Sequence, residues 1–230
     1  MPITWVKALN AYLYHADLRK YGRASQFPEF FNREIAGDRN STVAFETLYQ
    51  QTAQENMARF FEVVYWKLYS QPSRREKATN RIVDFVQNNV TKPEELWDTI
   101  QRFLDNPTIW NLNQIRNLLG IKTNVLAVPL TLCALADPHK FPMIDNQVAD
   151  WVNSNASAHN DKRKNKLSVF KKKYTSIRDD DFSSYLDWIE WCREVAQILT
   201  KLTEREWRAR DVEMAVFTAQ RNGMMLNVLP

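Results

Sequence analysis

Between Phe45 and Tyr69 apolar residues recur at steps of three and four, at Leu48, Met57, Phe60, Phe61, Val64 and Leu68, the period of an amphipathic helix. Thr42 or Ser41 stands where its N-cap is expected, and Gln71-Pro72 closes it. SRREKATNRIVDFVQNN then predicts a second helix, opened by Ser73 with Glu76 at the capping-box spacing. Pro93 in a first turn followed by EELWDTIQRFL predicts a third, stopped at Asn106-Pro107. A short helix over about 111–119 ends at Gly120, which suits a C′ position. From about Thr123, NVLAVPLTLCALAD is almost wholly apolar and predicts a buried helix, kinked by Pro129 or carrying it in the first turn. A strand-like apolar run, Phe141 to Ile144, leads into Asp145, with a helix expected from Asn146 to about Asn155. NSNASAHND, 153–161, reads as a flexible connection to a basic helix, after which aspartates 179 to 181 open SSYLDWIEWCREVAQILTKL. The last helix is expected from Thr203, with Glu206 three residues on, to Gly223.

Composition agrees with that pattern. Gly occurs four times and Pro nine, among abundant strong helix formers, so the expected class is all-α. With 230 residues, 44% hydrophobic and 25% charged, the chain can bury one sizeable core or two small lobes. No internal repeat or Gly/Ser-rich linker divides it, so residues 1–230 are expected to form a single helical domain. There is no apolar run of membrane-spanning length, and the opening MPITWVKALNAYLYHADLRK lacks the features of a signal peptide, so a cytoplasmic protein with no membrane association is expected. Cys133 and Cys192 lie in apolar helical surroundings and read as small buried hydrophobes. They and the scattered His15, His139 and His159 supply no metal site, and no cofactor is expected. The net charge of +4 is modest, but DKRKNKLSVFKKKY concentrates Lys162, Arg163, Lys164, Lys166, Lys171, Lys172 and Lys173, either a solvated face or a surface for a phosphate backbone.

Two segments combine into a constellation: FETLYQQTAQENMARFFEVV at 45–64, and the run from LLGIKTNVLAVPLTLCALADP to KFPMIDNQVADWV. Over residues 41–152 they resemble the helix-hairpin-helix DNA glycosylase superfamily, which pairs a Leu-x-Gln-Gln-Thr-like helix with a hairpin, an apolar helix and a loop ending in a catalytic aspartate. The likeness is nearest to adenine-DNA glycosylases and endonuclease III, through Glu46, Gln50, Gln51, Thr52 and FPMIDNQV. The resemblance implies a two-lobed helical fold with a central cleft, duplex DNA as partner, Asp145 as the catalytic carboxylate, Glu46 as proton donor to the leaving base and Gln51 as the residue entering the base stack. By the same likeness Gln50, Thr52, Gly120, Lys122 and Thr123 belong to the DNA-binding set, joined by Lys162, Arg163, Lys164 and Lys166 of the basic run. Tyr49 is a candidate platform for the flipped base. Two carboxyls suit the chemistry, since a fixed anion stabilises an oxocarbenium-like sugar while a protonated acid helps the base depart. Asp145 at a helix start meets N-terminal amides, whereas desolvation of Glu46 would favour its protonated form.

The resemblance also has gaps. The family hairpin normally reads Leu-Pro-Gly-Val-Gly, but LLGIKTNV keeps one glycine, Gly120, or in another register none. Alignment back from Asp145 through Asp137-Pro138 puts Ala127 where bifunctional members carry a lysine nucleophile, which favours a monofunctional enzyme; a monomer is expected. The four-cysteine iron-sulphur motif of many relatives is absent. Two other readings stay open: a non-catalytic DNA-binding protein that keeps the fold, and a structural or protein-interaction role for the abundant aromatics. The tail NGMMLNVLP is expected to dock on the body or on a partner.

Overall fold

The computed structural model describes residues 2–161, 163–172 and 176–230. In chain order these form α1 (Ile3–Asn10), β1 (Ala16–Asp17), β2 (Glu34–Ile35), α2 (Arg39–Thr52), α3 (Met57–Lys67), α4 (Pro72–Asn89), α5 (Pro93–Asp105), α6 (Ile109–Leu118), α7 (Ala127–Ala136), α8 (Asn146–Asn160), α9 (Phe182–Thr203) and α10 (Ala209–Asn222). The fold is predominantly helical, as composition predicts. The one sheet among the described residues pairs β1 and β2 antiparallel, Ala16 opposite Ile35 and Asp17 opposite Glu34. Among those residues no helix is long and apolar enough to cross a membrane.

Packing divides the chain into two units. The first comprises Met1–Leu13, Val125–Ala127 and Asp137–Pro230, the second Tyr14–Asn124 and Val128–Ala136.

In the first unit α10 packs against α1, α8 and α9. The centre is a cluster of indoles: Trp188 stacks on Trp191 with centroids 5.5 Å apart, and Trp151 and Trp5 lie 5.9 and 6.2 Å from Trp191. Such rings bury large apolar areas and fix one another's orientation. The tail folds back onto this unit. Trp5 Nε1 donates to Asn227 O at 2.9 Å, Asn227 N donates to Thr4 Oγ1 at 3.0 Å, and Leu226 and Leu229 are buried. Of the two alternatives, docking on the body is the one the structure shows.

In the second unit α3 packs on α4 and α5 on α6. Nearly all of α3 is buried, from Ala58 to Trp66, so the two charged residues within that stretch must satisfy each other. Arg59 pairs with Glu62, donates through Nε to Thr52 Oγ1 at 2.9 Å and lies over the Phe30 ring, while Glu62 accepts from Phe31 N at 2.6 Å. Burial pushes the Glu62 carboxyl up against the opposing pull of Arg59. α7 is apolar all round and buried from Pro129 to Leu135; Pro129 sits in its first turn, where an amide donor is dispensable. Cys133 and Cys192 are buried free thiols, as expected, and burial pushes both thiols up.

Several expected boundaries are corrected. The helix expected over 45–69 is two helices, because Asn56 takes an extended backbone and accepts from Ala58 N at 2.9 Å, capping α3 afresh. The cap of α2 is Asp38, not Thr42 or Ser41; its carboxylate accepts from Ser41 N at 2.7 Å, and Thr42 is buried. Ser73 does not open α4. Pro72, with its preset φ, is already in the first turn, and Glu76 reaches across to Tyr65 Oη at 3.2 Å and Gly22 N at 3.4 Å. Thr203 ends α9 and does not start α10. Its hydroxyl donates to Leu199 O at 2.7 Å and accepts from Trp207 Nε1 at 3.0 Å, after which Glu204 takes a left-handed φ of 53°. α10 starts at Ala209, where the Asp211 carboxylate accepts from Arg208 N and from its guanidinium. Phe141 to Ile144 forms no strand, although all four residues are buried.

The stretch 153–161 is not a flexible connection, and the described part of the basic run, 163–172, is not a helix. α8 continues to Asn160, and residues 163–172 run irregularly, held by two asparagines. Asn153 accepts from Phe170 N at 2.7 Å and donates to Phe170 O at 2.8 Å, while Asn160 makes the same pair with Leu167 at 2.6 and 2.9 Å. Each side-chain amide satisfies both the N–H and the C=O of one residue of the irregular segment, so polar residues that look like a linker serve as its support.

Candidate functional site

Asp145 belongs to the first unit, at the end of a segment clamped from two directions. α10 presents its first amides to the chain: Ala209 N donates to His139 O at 3.2 Å and Arg210 N to Pro138 O at 3.0 Å. α9 supplies two buried side-chain donors, Tyr185 Oη to Pro142 O at 3.0 Å and Trp188 Nε1 to Met143 O at 3.0 Å. Phe141, Met143 and Ile144 are buried, so the irregular backbone obtains from side chains the bonds that a sheet would otherwise give. Asp145 itself is half-buried and caps α8: Oδ1 accepts from Val148 N at 3.0 Å and its carbonyl from Ala149 N at 2.9 Å. The product is a carboxylate at the positive end of a 15-residue helix, on a backbone whose position does not depend on that carboxylate alone.

The Gln-Gln-Thr motif lies on α2 in the second unit, and most of it faces inward. Glu46 and Tyr49 are both 0% exposed. The Tyr49 ring is enclosed edge-on by Phe60 and Trp97 at 5.6 and 5.7 Å, and burial pushes its hydroxyl well up, so the expected base-stacking platform is a core residue. Gln50 donates through Nε2 to Leu135 O at 2.8 Å, satisfying a carbonyl in the last turn of α7. Thr52 donates to Leu48 O at 2.7 Å and accepts from Arg59. Of Glu46, Tyr49, Gln50, Gln51 and Thr52, only Gln51 is exposed.

The turn after α6 keeps a single glycine. Gly120 has φ +64°, and a Cβ there would come within 2.2 Å of the Phe85 ring, so both conformation and packing require glycine. Its amide donates to Asn117 O at 3.2 Å, and Ile121 N donates to Arg116 O at 2.9 Å. These amides close α6, which corrects the expectation that Gly120 presents its backbone to a phosphate. Lys122 and Thr123 are exposed beyond them.

Of the basic run, Arg163 is 7% exposed and donates to Leu229 O at 2.7 Å and Pro230 O at 3.0 Å, so it pins the tail and is not available to DNA. Lys166 is exposed but donates to Asn160 O, and Lys172 pairs with Asp150. Lys164 and Lys171 are exposed, while Lys162 and Lys173 lie outside the described residues. The motif residues therefore divide between the units, Asp145 in the first and Glu46 to Thr52 with Gly120 to Thr123 in the second. Sequence reasoning missed the anchors of the Asp145 segment. The available signal was Tyr185 and Trp188, three apart on one face of α9, each an apolar body carrying a single donor.

No protein-family model matches the chain, and neither a curated protein nor a solved structure matches it.

Proposed function

We propose that the chain is a DNA N-glycosylase that hydrolyses the bond between a damaged or mismatched base and its sugar, without a lysine nucleophile. The observation that carries this reading is the half-buried Asp145 carboxylate, set at a helix N-terminus on a segment fixed by Tyr185, Trp188 and the first amides of α10. In the reaction the C1′–N bond breaks and the base leaves with the electron pair and gains a proton. Positive charge develops on the sugar beside a carboxylate that needs no reorganisation to meet it, and water then adds at C1′ and loses a proton. Glu46 is enclosed within its own unit, so a donor role for it requires α2 to be uncovered, and the proposal stands on Asp145.

The test is base release from duplexes carrying uracil, hypoxanthine, alkylated purines, 8-oxoguanine or adenine opposite 8-oxoguanine, with wild type beside Asp145→Asn. Release that falls by at least about a hundredfold in the variant supports the assignment, this being the usual loss when one such stabilising group is removed. Strand breaks that appear only after alkali support a monofunctional enzyme. The enclosure of Glu46 and Tyr49 favours a second reading, a non-catalytic duplex-binding protein. If no lesion is processed while duplex DNA is bound, that reading replaces the first.

A further inference from the structure

The segment that looks most basic in the sequence spends much of its charge internally, on tail carbonyls, on Asn160 and on Asp150. A different element keeps its cations exposed. α4 places Arg74, Lys77 and Arg81 at steps of three and four, within about 60° of arc at 3.6 residues per turn. All three are exposed, opposite the buried Thr79, Ile82, Val83 and Val86. None has an ion-pair partner among the described residues. The two acids of this helix do not neutralise the stripe, because Asp84 pairs with Arg23, and Glu76 faces Tyr65 and Gly22. Tyr21 Oη donates to Asn80 Oδ1 at 2.7 Å and Gly22 N to Glu76 Oε1 at 3.4 Å, which holds this segment on α4.

This placement works against the helix that carries it. Arg74 and Lys77 lie in the first two turns, at the positive end of the macrodipole, and the first turn has no acid to offset them. Lys77 and Arg81 are a like-charge pair four residues apart, which repels across one helical turn. A solvated face normally mixes signs, and local conflict of this kind in an otherwise consistent sequence marks a functional surface. A polyanion relieves both conflicts at once.

We infer that the α4 face formed by Arg74, Lys77 and Arg81 is a contact surface for the phosphate backbone of duplex DNA. The three side chains span about 10 Å along the helix, at 1.5 Å per residue, and a duplex presents one negative charge per about 1.7 Å of its axis, so all three can engage together. The contact carries no sequence information; it adds affinity and salt dependence. It deepens the DNA-binding part of the reading above and rests on it.

The experiment measures the affinity of the full chain for an undamaged 20-base-pair duplex (a length of about two helical turns) between about 50 and 200 mM salt. Wild type is compared with Arg74→Gln/Lys77→Gln/Arg81→Gln, and with Lys201→Gln as an exposed control. Glutamine keeps helix propensity, so the triple variant should melt no lower than wild type, and relief of the repulsion should raise its melting temperature if it moves at all. The slope of log affinity against log salt is expected to fall by about 2 to 3, from about 0.9 per phosphate contact, with affinity at the lower salt reduced about tenfold or more. Lys201→Gln should keep the wild-type slope. A triple variant that melts like wild type and keeps its slope overturns the α4 surface while leaving base release untouched. A reduced slope in a protein that releases no base upholds the surface and overturns the glycosylase. Absence of wild-type duplex binding at the lowest salt overturns the surface outright.

Discussion

His159 shows how much one residue's surroundings decide. It sits at the end of α8 with its ring 4.9 Å from Trp151, 6.1 Å from Trp5 and 6.2 Å from Trp191. Burial pulls its pKa below the ordinary 6.5; a hydrogen bond with the Leu226 backbone opposes the shift, and the nearby Arg163 charge adds to it. The folded state therefore holds the neutral ring, and the unfolded chain takes up the proton first as pH falls. The contribution to stability is complete above about pH 6.5 and is lost progressively down to the lowered folded value. Melting temperature should thus fall between pH 7.5 and the acid side of that window, and His159→Phe should lose part of this dependence. Parallel melting curves for wild type and variant check it, and identical pH profiles would remove His159 as the source. Tyr49 makes the complementary point: a phenol that the motif offers to a ligand is closed off by Phe60 and Trp97.

At the scale of the element, helix starts are where pattern and structure part. Asp38, Asn56, Thr108 and Asp145 each cap a helix with a side-chain oxygen, and in each case the identity of the residue permits it. Tertiary packing decides among neighbouring candidates. Ser41 and Thr42 are equally eligible by type, but Thr42 is turned into the core while Asp38 reaches Ser41 N. Asp38→Ala should therefore destabilise by about 1 kcal/mol, the usual cost of losing a cap, lowering the melting temperature by roughly 2–4 °C. Thr42→Val, which replaces a buried hydroxyl by a methyl of the same shape, should cost clearly less. Thermal melts of the two variants decide it, and the opposite order would restore Thr42 as the cap. Helix termination was more legible: Gly120 and Gly223 both take the left-handed conformation that their places after a helix predict.

For the molecule as a whole, the Asp145 segment depends on elements distant in sequence. Tyr185 and Trp188 follow it by some forty residues, at separations of 43 and 45 from the carbonyls they hold, and α10 follows later still. Tyr185→Phe removes one of these bonds and little volume, so stability should fall by about 1 kcal/mol. If the carboxylate works through its position, base release should fall more than this, about tenfold or beyond, since small displacements at a reacting centre are costly. Activity and melting temperature measured on the same variant separate the two effects; full activity at a lowered melting temperature would show that this anchor serves folding only.

The sequence by itself determined the helical class, the apolar α7, the burial of both cysteines and the junction at Asp145. Each follows from local propensity or from a periodic pattern that any burial of that face must respect. It also carried the alternation of apolar and polar positions on α9 from which two anchors could have been picked. Tertiary structure alone decided that Glu46, Tyr49 and Arg163 are enclosed, and that the polar stretch 153–160 continues α8 and serves an irregular neighbour. Only packing assigns partners to side-chain donors, acceptors and charges. An asparagine that caps, links or mimics a strand is the same residue in sequence, and an arginine becomes a tail clamp or an exposed cation only when its neighbours are in place.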